Sequence, residues 1–388
     1  MTAKKKLLIF YDWFYPGFKA GGPIQSLTNL AVSLASEFDI FIITSAYDLN
    51  SAIPYEGIVV NAWNGVLLPD RNSSISVYYA MKKTLTAVKI QTLLKDVSPS
   101  IVYLNGIFSY HFFLLPLLSL KKTKGKIKVV ICPRGMLKKG ALSGKAFKKK
   151  IYIGYLKHSG LLRNVYWQAT TKEEQADIYT YFPASKGIGI APNIPKQPLK
   201  TVSAITKEPG RLRLVYLSLV NEHKNLLLLL EIIKHVKPAV SLDIYGPVVD
   251  ERYWKNCQDK ITEMSDRVRY AGTCDPAAVQ KVLAEYDTLI LLTKGENFGH
   301  AIYESLSVGR PVITSPFTPW QNLKVQKAGA IVDLESRDDI FSAINYFAEM
   351  NQSEYSSFCV GAHVMATDYY SKVDAKQSYK QLFMWEVL

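Results

Sequence analysis

Short, nearly continuous apolar runs alternate along the whole chain with stretches whose apolar residues recur at helical spacing. Runs that are apolar at successive positions predict strands of a parallel sheet covered on both faces. In the first half they predict strands at Leu7–Tyr11, Ile40–Thr44, Ile101–Leu104, Lys128–Cys132, Val165–Ala169 and Gly187–Ala191. Helices are predicted at Ile24–Ser36, Lys82–Lys95, Ser109–Leu120, Lys145–Leu161 and Lys172–Phe182. The pattern then breaks at Pro192, Pro195, Pro198 and Pro209, a segment read as a linker. A second series follows, with strands at Arg213–Leu217, Ser241–Tyr245, Val268–Ala271, Thr288–Leu292, Pro311–Thr314 and Ala330–Val332. Its helices fit Lys224–Val236, Glu251–Met264, Pro276–Glu285, Gly299–Val308, Asp338–Glu349 and a stretch beyond Tyr369. Such alternation predicts an α/β protein with two Rossmann-like, doubly wound parallel-sheet domains, at 1–196 and 207–365. Ligands of such folds lie outside the carboxyl ends of the strands, so the two domains are expected to face a central cleft.

Composition narrows the class. Of 388 residues, 48% are hydrophobic and 21% charged, which excludes a disordered chain, a collagen-like fibre and a small disulfide scaffold. No apolar run approaches the roughly 18 residues of a membrane span. The run after Lys4-Lys5-Lys6 is interrupted at Asp12, too early for a signal peptide, and reads as the first strand. Cys132, Cys257, Cys274 and Cys359 are scattered, which argues against a zinc site and fits a reducing cytoplasm. Residues 1–200 hold 27 basic and 10 acidic side chains, net +17, whereas residues 201–388 hold 20 and 23, net −3. The first half is therefore expected to attract an anionic partner. The densest part is Lys121–Lys128 and Lys138–Lys157, with Leu142, Phe147, Ile151, Tyr155 and Leu162 interleaved. Two readings stay open for it: a solvated basic helix packed on its own domain, or a helix lying on an anionic bilayer. No nucleic-acid module is recognised, so nucleic acid is not expected as a partner.

The sharpest chemical signal is Gly295-Glu296-Asn297-Phe298-Gly299-His300-Ala301-Ile302-Tyr303-Glu304, directly after a predicted strand. Glu296 falls in the turn, Gly299 at the helix start, and Glu304 about 7–8 Å further along the helix. A helix start offers free N–H groups to a phosphate. Carboxylates on either side suit the diols of sugars and riboses. Lys224, in Ser218–Leu226 after the first strand of the second domain, is expected to open a helix and neutralise a diphosphate. Gly21-Gly22 before the first predicted helix permits close approach of backbone to phosphate. Tyr11, Trp13, Phe14 and Tyr15 beside it could stack on a sugar or simply pack in the core. Arg134 and His111 follow strands and are the candidates on the acceptor side, with a surface salt bridge and plain packing as their alternatives. The sequence has no Asp-x-Asp pair, no histidine spacing for a metal, no dinucleotide fingerprint and no phosphate-loop lysine.

The Glu296–Glu304 string, running on into Gly309-Arg310-Pro311-Val312, resembles the signature of the family 4 retaining glycosyltransferases of GT-B architecture. Thr318–Leu323 and Cys132–Leu137 look like members that build bacterial surface polysaccharides. The resemblance implies that Glu296 contacts the transferred sugar and Glu304 the nucleotide ribose. Gly22, Lys224, Asn297, Phe298, Gly299 and His300 complete the implied donor site. It further implies that the first domain binds the acceptor, the second the donor, and that residues 370–388 form a helix crossing back to the first domain. The expected reaction is transfer from a UDP- or GDP-linked sugar to a glycan or lipid-linked acceptor, with retention, no metal and no other cofactor. The enzyme would be cytoplasmic and peripheral on the inner membrane face. The family usually adds an arginine near Lys224; Leu219 stands there, and His223 or Arg134 are the candidates to replace its charge. Two rivals remain: a sugar-nucleotide epimerase on the same architecture, and a non-catalytic sugar-nucleotide-binding subunit.

Overall fold

The computed structural model describes residues 4–69, 72–121, 127–143, 146–237 and 239–384. The chain forms two compact units, one running to Ile194 and taking in the last helix, the other covering Pro195–Val373.

The first unit is built on β1 (Lys5–Phe10), β2 (Phe38–Ser45), β3 (Trp63–Leu67), β4 (Ser74–Ala80), β5 (Ile101–Asn105), β6 (Lys128–Cys132), β7 (Val165–Ala169) and β8 (Gly187–Ile190). Their order is β3-β4-β2-β1-β5-β6-β7-β8. All neighbours pair in parallel except β3, which runs antiparallel to β4 at the edge. The helices are α1 (Gly22–Leu34), α2 (Ala87–Val97), α3 (Leu115–Leu120), α4 (Lys139–Ser143), α5 (Ala146–His158) and α6 (Lys172–Tyr181). The β3–β4 hairpin departs from the expected all-parallel pattern. Trp63–Leu67 is half exposed and carries a glycine, so it lacks the apolar run that marks the central strands. The helix expected over Lys82–Lys95 is instead a short 3₁₀ turn at Lys82–Thr84 followed by α2. Thr86 makes the break, because its hydroxyl accepts the Lys89 N–H and starts the helix there.

The second unit holds β9 (Leu212–Leu217), α7 (Leu226–Ile233), β10 (Val240–Tyr245), α8 (Glu251–Glu263), β11 (Val268–Gly272), α9 (Val279–Ala284) and β12 (Thr288–Leu291). Then come α10 (His300–Ser307), β13 (Val312–Thr314), β14 (Gly329–Ile331), α11 (Arg337–Glu349) and α12 (Gln352–Lys372). Its sheet is wholly parallel, in the order β11-β10-β9-β12-β13-β14. Every residue of β12 is buried, and Leu226, Leu229, Leu230, Ile232 and Ile233 of α7 pack on the sheet. Each such side chain contributes roughly 1.5–3 kcal/mol by leaving water. The proline-rich segment read as a linker is tied to this unit. Lys207 donates to the carbonyls of Glu208 and Ala348 at 2.9 and 2.7 Å, and Arg310 donates to Ser203 O at 2.8 Å. The final helix, α13 (Ala375–Met384), packs with the first unit.

Candidate active site

In the second sheet β9 is flanked by β10 on one side and β12 on the other, so the strand order reverses at β9. In open parallel sheets the ligand crevice lies at such a reversal, outside the carboxyl ends of the two strands, here β9 and β12. The loops that leave these two ends are joined by three successive contacts. The Lys294 N–H donates to His223 O at 2.9 Å. The His223 ring meets Gly295 O at 3.0 Å through Nε2. The Lys224 ammonium pairs with Glu296 Oε1. A Cβ at position 295 would lie 3.3 Å from the His223 ring and press on it. Both partners of the Lys224–Glu296 pair are 14% exposed, sheltered enough for the charges to matter yet open to a ligand. Lys224 does not open a helix as expected. It closes the 3₁₀ turn Glu222–Lys224, whose N–H is held by the Asn221 side chain at 3.1 Å. Asn225 then turns left-handed, at φ +59°, before α7 begins.

The turn carrying Glu296 is fixed from behind. The Glu296 N–H donates to Phe317 O at 2.9 Å. Phe298 is buried against Trp320, Tyr303 and Tyr369, and the Trp320 indole N–H donates to Phe298 O at 2.6 Å. Phe298 thus acts by packing the turn. Gly299 adopts φ +79° and leads directly into α10, which leaves the first N–H groups of that helix at the crevice beside half-buried Asn297 and His300.

Glu304 lies within α10 and is buried. Its Oε1 stands 3.3 Å from the Lys196 ammonium. That ammonium also donates to Pro276 O at 2.6 Å, and the Tyr303 hydroxyl donates to Lys196 O at 2.9 Å. Burial raises the Glu304 pKa above its ordinary value, and the Lys196 charge opposes that rise. Each signature glutamate therefore carries its own lysine. Among the described residues, no three His, Cys, Asp or Glu side chains gather as metal ligands.

The first unit places a separate polar group at the carboxyl ends of β1 and β5, again where the strand order reverses. Asp12 Oδ1 accepts from the Ser109 hydroxyl at 2.9 Å and faces Lys82 at 4.0 Å and His111. Burial raises the Asp12 pKa, while Ser109, Lys82 and His111 counter it. His111 Nδ1 is buried and makes no hydrogen bond among the described residues. Lys82 also sits 5.8 Å from the centre of the Trp13 ring. Tyr11 and Phe14 are core residues, which leaves Trp13 and Tyr15 half-buried. Gly22 is the first residue of α1, after Gly21 at φ +73°. Arg134 does not join the Asp12–His111 group. Its guanidinium donates to Asn105 Oδ1, Asn193 Oδ1 and Tyr103 OH at 3.0, 2.8 and 3.2 Å, contacts that pin the first unit together. Three of its five N–H groups are thus engaged by neighbours within the first unit, in place of the surface salt bridge that was its alternative reading.

Residues 201–357 match the family described as Glycosyl transferases group 1. That stretch contains the Lys224–Glu296 pair and Glu304. The match to the group 1 glycosyl transferases thus falls on the second unit. The activity that this match shows is that of a glycosyltransferase. Its fold is GT-B, shared with solved structures along nearly its full length. Sucrose-phosphate synthase from Thermosynechococcus elongatus aligns with TM-score 0.73 and 14% identity, covering 99% of this chain and 100% of that one. HepE from Anabaena, solved with UDP and glucose, gives TM-score 0.70 and 14% identity over 97% and 98% of the chains. WaaG, a glycosyltransferase involved in lipopolysaccharide biosynthesis, gives 0.69 and 10% over 98% and 100%. No curated protein matches the chain in sequence. Two features of this glycosyltransferase escaped sequence reasoning. Lys196 was hidden in the proline-rich segment, and Asp12 stood in the sequence only as the polar residue that ends the first strand. Its place beside a glycine loop was the available signal for Asp12, and Lys196 had none.

Proposed function

We propose that the enzyme is a retaining, metal-independent hexosyltransferase. Its donor is a UDP- or GDP-linked sugar and its acceptor a glycan or lipid-linked saccharide of a bacterial surface polysaccharide. The observation that carries this reading is the Lys224–Glu296 pair across the crevice at the end of β9 and β12. Glu296 accepts hydroxyl hydrogen bonds from the transferred sugar. Lys224, staying beside Glu296, stabilises the diphosphate as negative charge builds on it, and the N–H groups at the start of α10 add to that field. Glu304 accepts from the ribose diol. Lysine supplies positive charge at the leaving group, the task a divalent ion performs in metal-dependent transferases.

Both glutamates are held by ammonium groups, and a carboxylate so neutralised is a poor nucleophile. This favours a same-face departure in which the leaving phosphate takes the acceptor proton over a covalent glycosyl intermediate. In the first unit, Asp12, Ser109, His111 and the Trp13 face form the proposed acceptor group, since charged acceptors beside an aromatic face suit a saccharide. The UDP and glucose held by HepE and the pathway of WaaG are consistent with this donor and product class.

The test is nucleoside diphosphate release from a panel of UDP- and GDP-sugars, with and without lipid extract. Turnover should need acceptor, persist in EDTA and fall by about 10²–10³ in Glu296→Gln and Lys224→Met while both variants stay folded. Isomerisation of the donor without acceptor would instead identify an epimerase. A folded Glu296→Gln of wild-type rate would remove the assignment.

A further inference from the structure

One face of α5 has no role in the donor or acceptor groups. Phe147, Ile151 and Tyr155 lie at successive i, i+4 positions and are 77%, 58% and 48% exposed. At about 100° per residue they form one stripe pointing away from the protein. The opposite side is inward: Ile153 and Leu156 are buried, and the Tyr152 ring lies 5.8 Å from Phe108. Lysines border the stripe on both sides, Lys148 on one and Lys150 and Lys157 on the other, all exposed. Lys149 differs. It faces inward, donating to Ala141 O at 2.5 Å and lying 5.4 Å from the Phe108 ring centre.

We propose that this face of α5 docks on an anionic lipid bilayer, with Phe147, Ile151 and Tyr155 entering the headgroup–acyl boundary and Lys148, Lys150 and Lys157 engaging lipid phosphates. An apolar stripe between two lysine borders is the geometry of a helix lying in the plane of a membrane surface. Lysine stems extend along the apolar side while their heads stay in the phosphate layer. Charge selects this occupant. From Asp96 to Glu173 the intervening chain holds 15 Lys and Arg and no Asp or Glu. A second copy of the same face would meet like charge, whereas an anionic bilayer meets opposite charge along the whole helix. No described helix is long and apolar enough to cross a membrane, so attachment through α5 is peripheral and reversible. The proposal goes beyond the transferase reading and does not depend on it.

The experiment is co-sedimentation of the full chain with phosphatidylcholine vesicles, with and without phosphatidylglycerol, at low and high salt. Wild type should bind only the anionic vesicles, and less as salt rises. Lys148→Ser/Lys150→Ser/Lys157→Ser should weaken binding about 100-fold. Phe147→Ser/Ile151→Ser should weaken it about tenfold or more through lost apolar burial. Lys149→Ser, which alters an inward lysine, should change it far less. All these side chains except Lys149 are exposed, so thermal midpoint and nucleoside diphosphate affinity should stay at wild-type values. The proposal is overturned by a wild type that ignores anionic vesicles at low salt. It is equally overturned if the apolar double variant binds as wild type does, or if Lys149→Ser loses as much as the triple variant. None of these readouts uses turnover, so failure here leaves the transferase assignment untouched, and the reverse.

Discussion

Lys196 decides what Glu304 can do. In its proposed role at a ribose this buried carboxylate serves best while ionised, and burial pushes its pKa up. The ammonium 3.3 Å away opposes that rise and favours the charged form. Phosphate-free nucleoside affinity should therefore fall as pH drops through the raised Glu304 pKa, because the protonated acid loses part of its acceptor capacity. In Lys196→Met the opposing charge is gone, so the same fall should begin at higher pH. In Glu304→Gln affinity should be lower by about 10- to 150-fold at neutral pH and flat across that range. Calorimetric titration of uridine or guanosine across pH checks all three. Identical profiles in the three proteins would remove the ribose role. Glu296, Glu304 and Lys224 were legible in the sequence because each sits at a fixed offset from a strand whose apolar run is plain. Lys196 was not, since its partner is remote in sequence and nothing local marks a proline-flanked lysine as an ion-pair donor. Arg134 was legible as a cation after a strand, but not its partners, which are Tyr103 and Asn105 of β5 and Asn193 near the end of the first unit's main stretch.

At the scale of elements, the central strands were legible because their apolar runs are buried from end to end or nearly so. The β3–β4 hairpin and α12 were not among the predicted elements. The face that α12 buries is Tyr355, Phe358, Ala362 and Ala366, and two alanines make a faint apolar stripe. Small residues are needed there because the helix runs against backbone. A Cβ at Gly361 would stand 2.1 Å from Gln326 O and 2.4 Å from Lys327 O, distances that require the helix or the turn to move. Two effects then compete in Gly361→Ala. Helix propensity alone gives a gain of about 1 kcal/mol for alanine over glycine. Displacing packed backbone costs about 1–3 kcal/mol or more. The collision should win, so the variant should unfold at lower urea concentration with an unchanged slope. A higher midpoint would mean that α12 is free to slide from the 326–327 turn.

On the scale of the whole molecule, each unit has its own apolar core, yet the first is completed by residues from the far end of the chain. Local patterning says that a helix follows Tyr369, but not which sheet it covers; only the family resemblance pointed to the first. The structure shows what the contact consists of. Phe383 is 1% exposed, with its ring centre 5.8 Å from Phe38, 5.3 Å from Tyr103 and 5.8 Å from Tyr379. The Gln168 amide donates to the Tyr379 hydroxyl at 2.8 Å, and Lys128 donates to Leu382 O at 2.7 Å. Lys376 and Lys380 both meet Glu37, an exposed pairing that adds little beside the buried ring. Phe383→Ala should therefore cost about 3–5 kcal/mol, since the ring leaves a cavity among aromatic neighbours that cannot collapse fully. For a unit of this size that lowers the melting midpoint by about 10 °C. Nucleoside diphosphate affinity should stay at its wild-type value at low temperature, because Lys196, Lys224, Glu296 and Glu304 all belong to the other unit. Thermal melting with and without nucleotide, beside a binding titration, separates the two effects. An unshifted midpoint would show that α13 is dispensable to the first core, and a lost affinity in the folded variant would show that the donor residues depend on it.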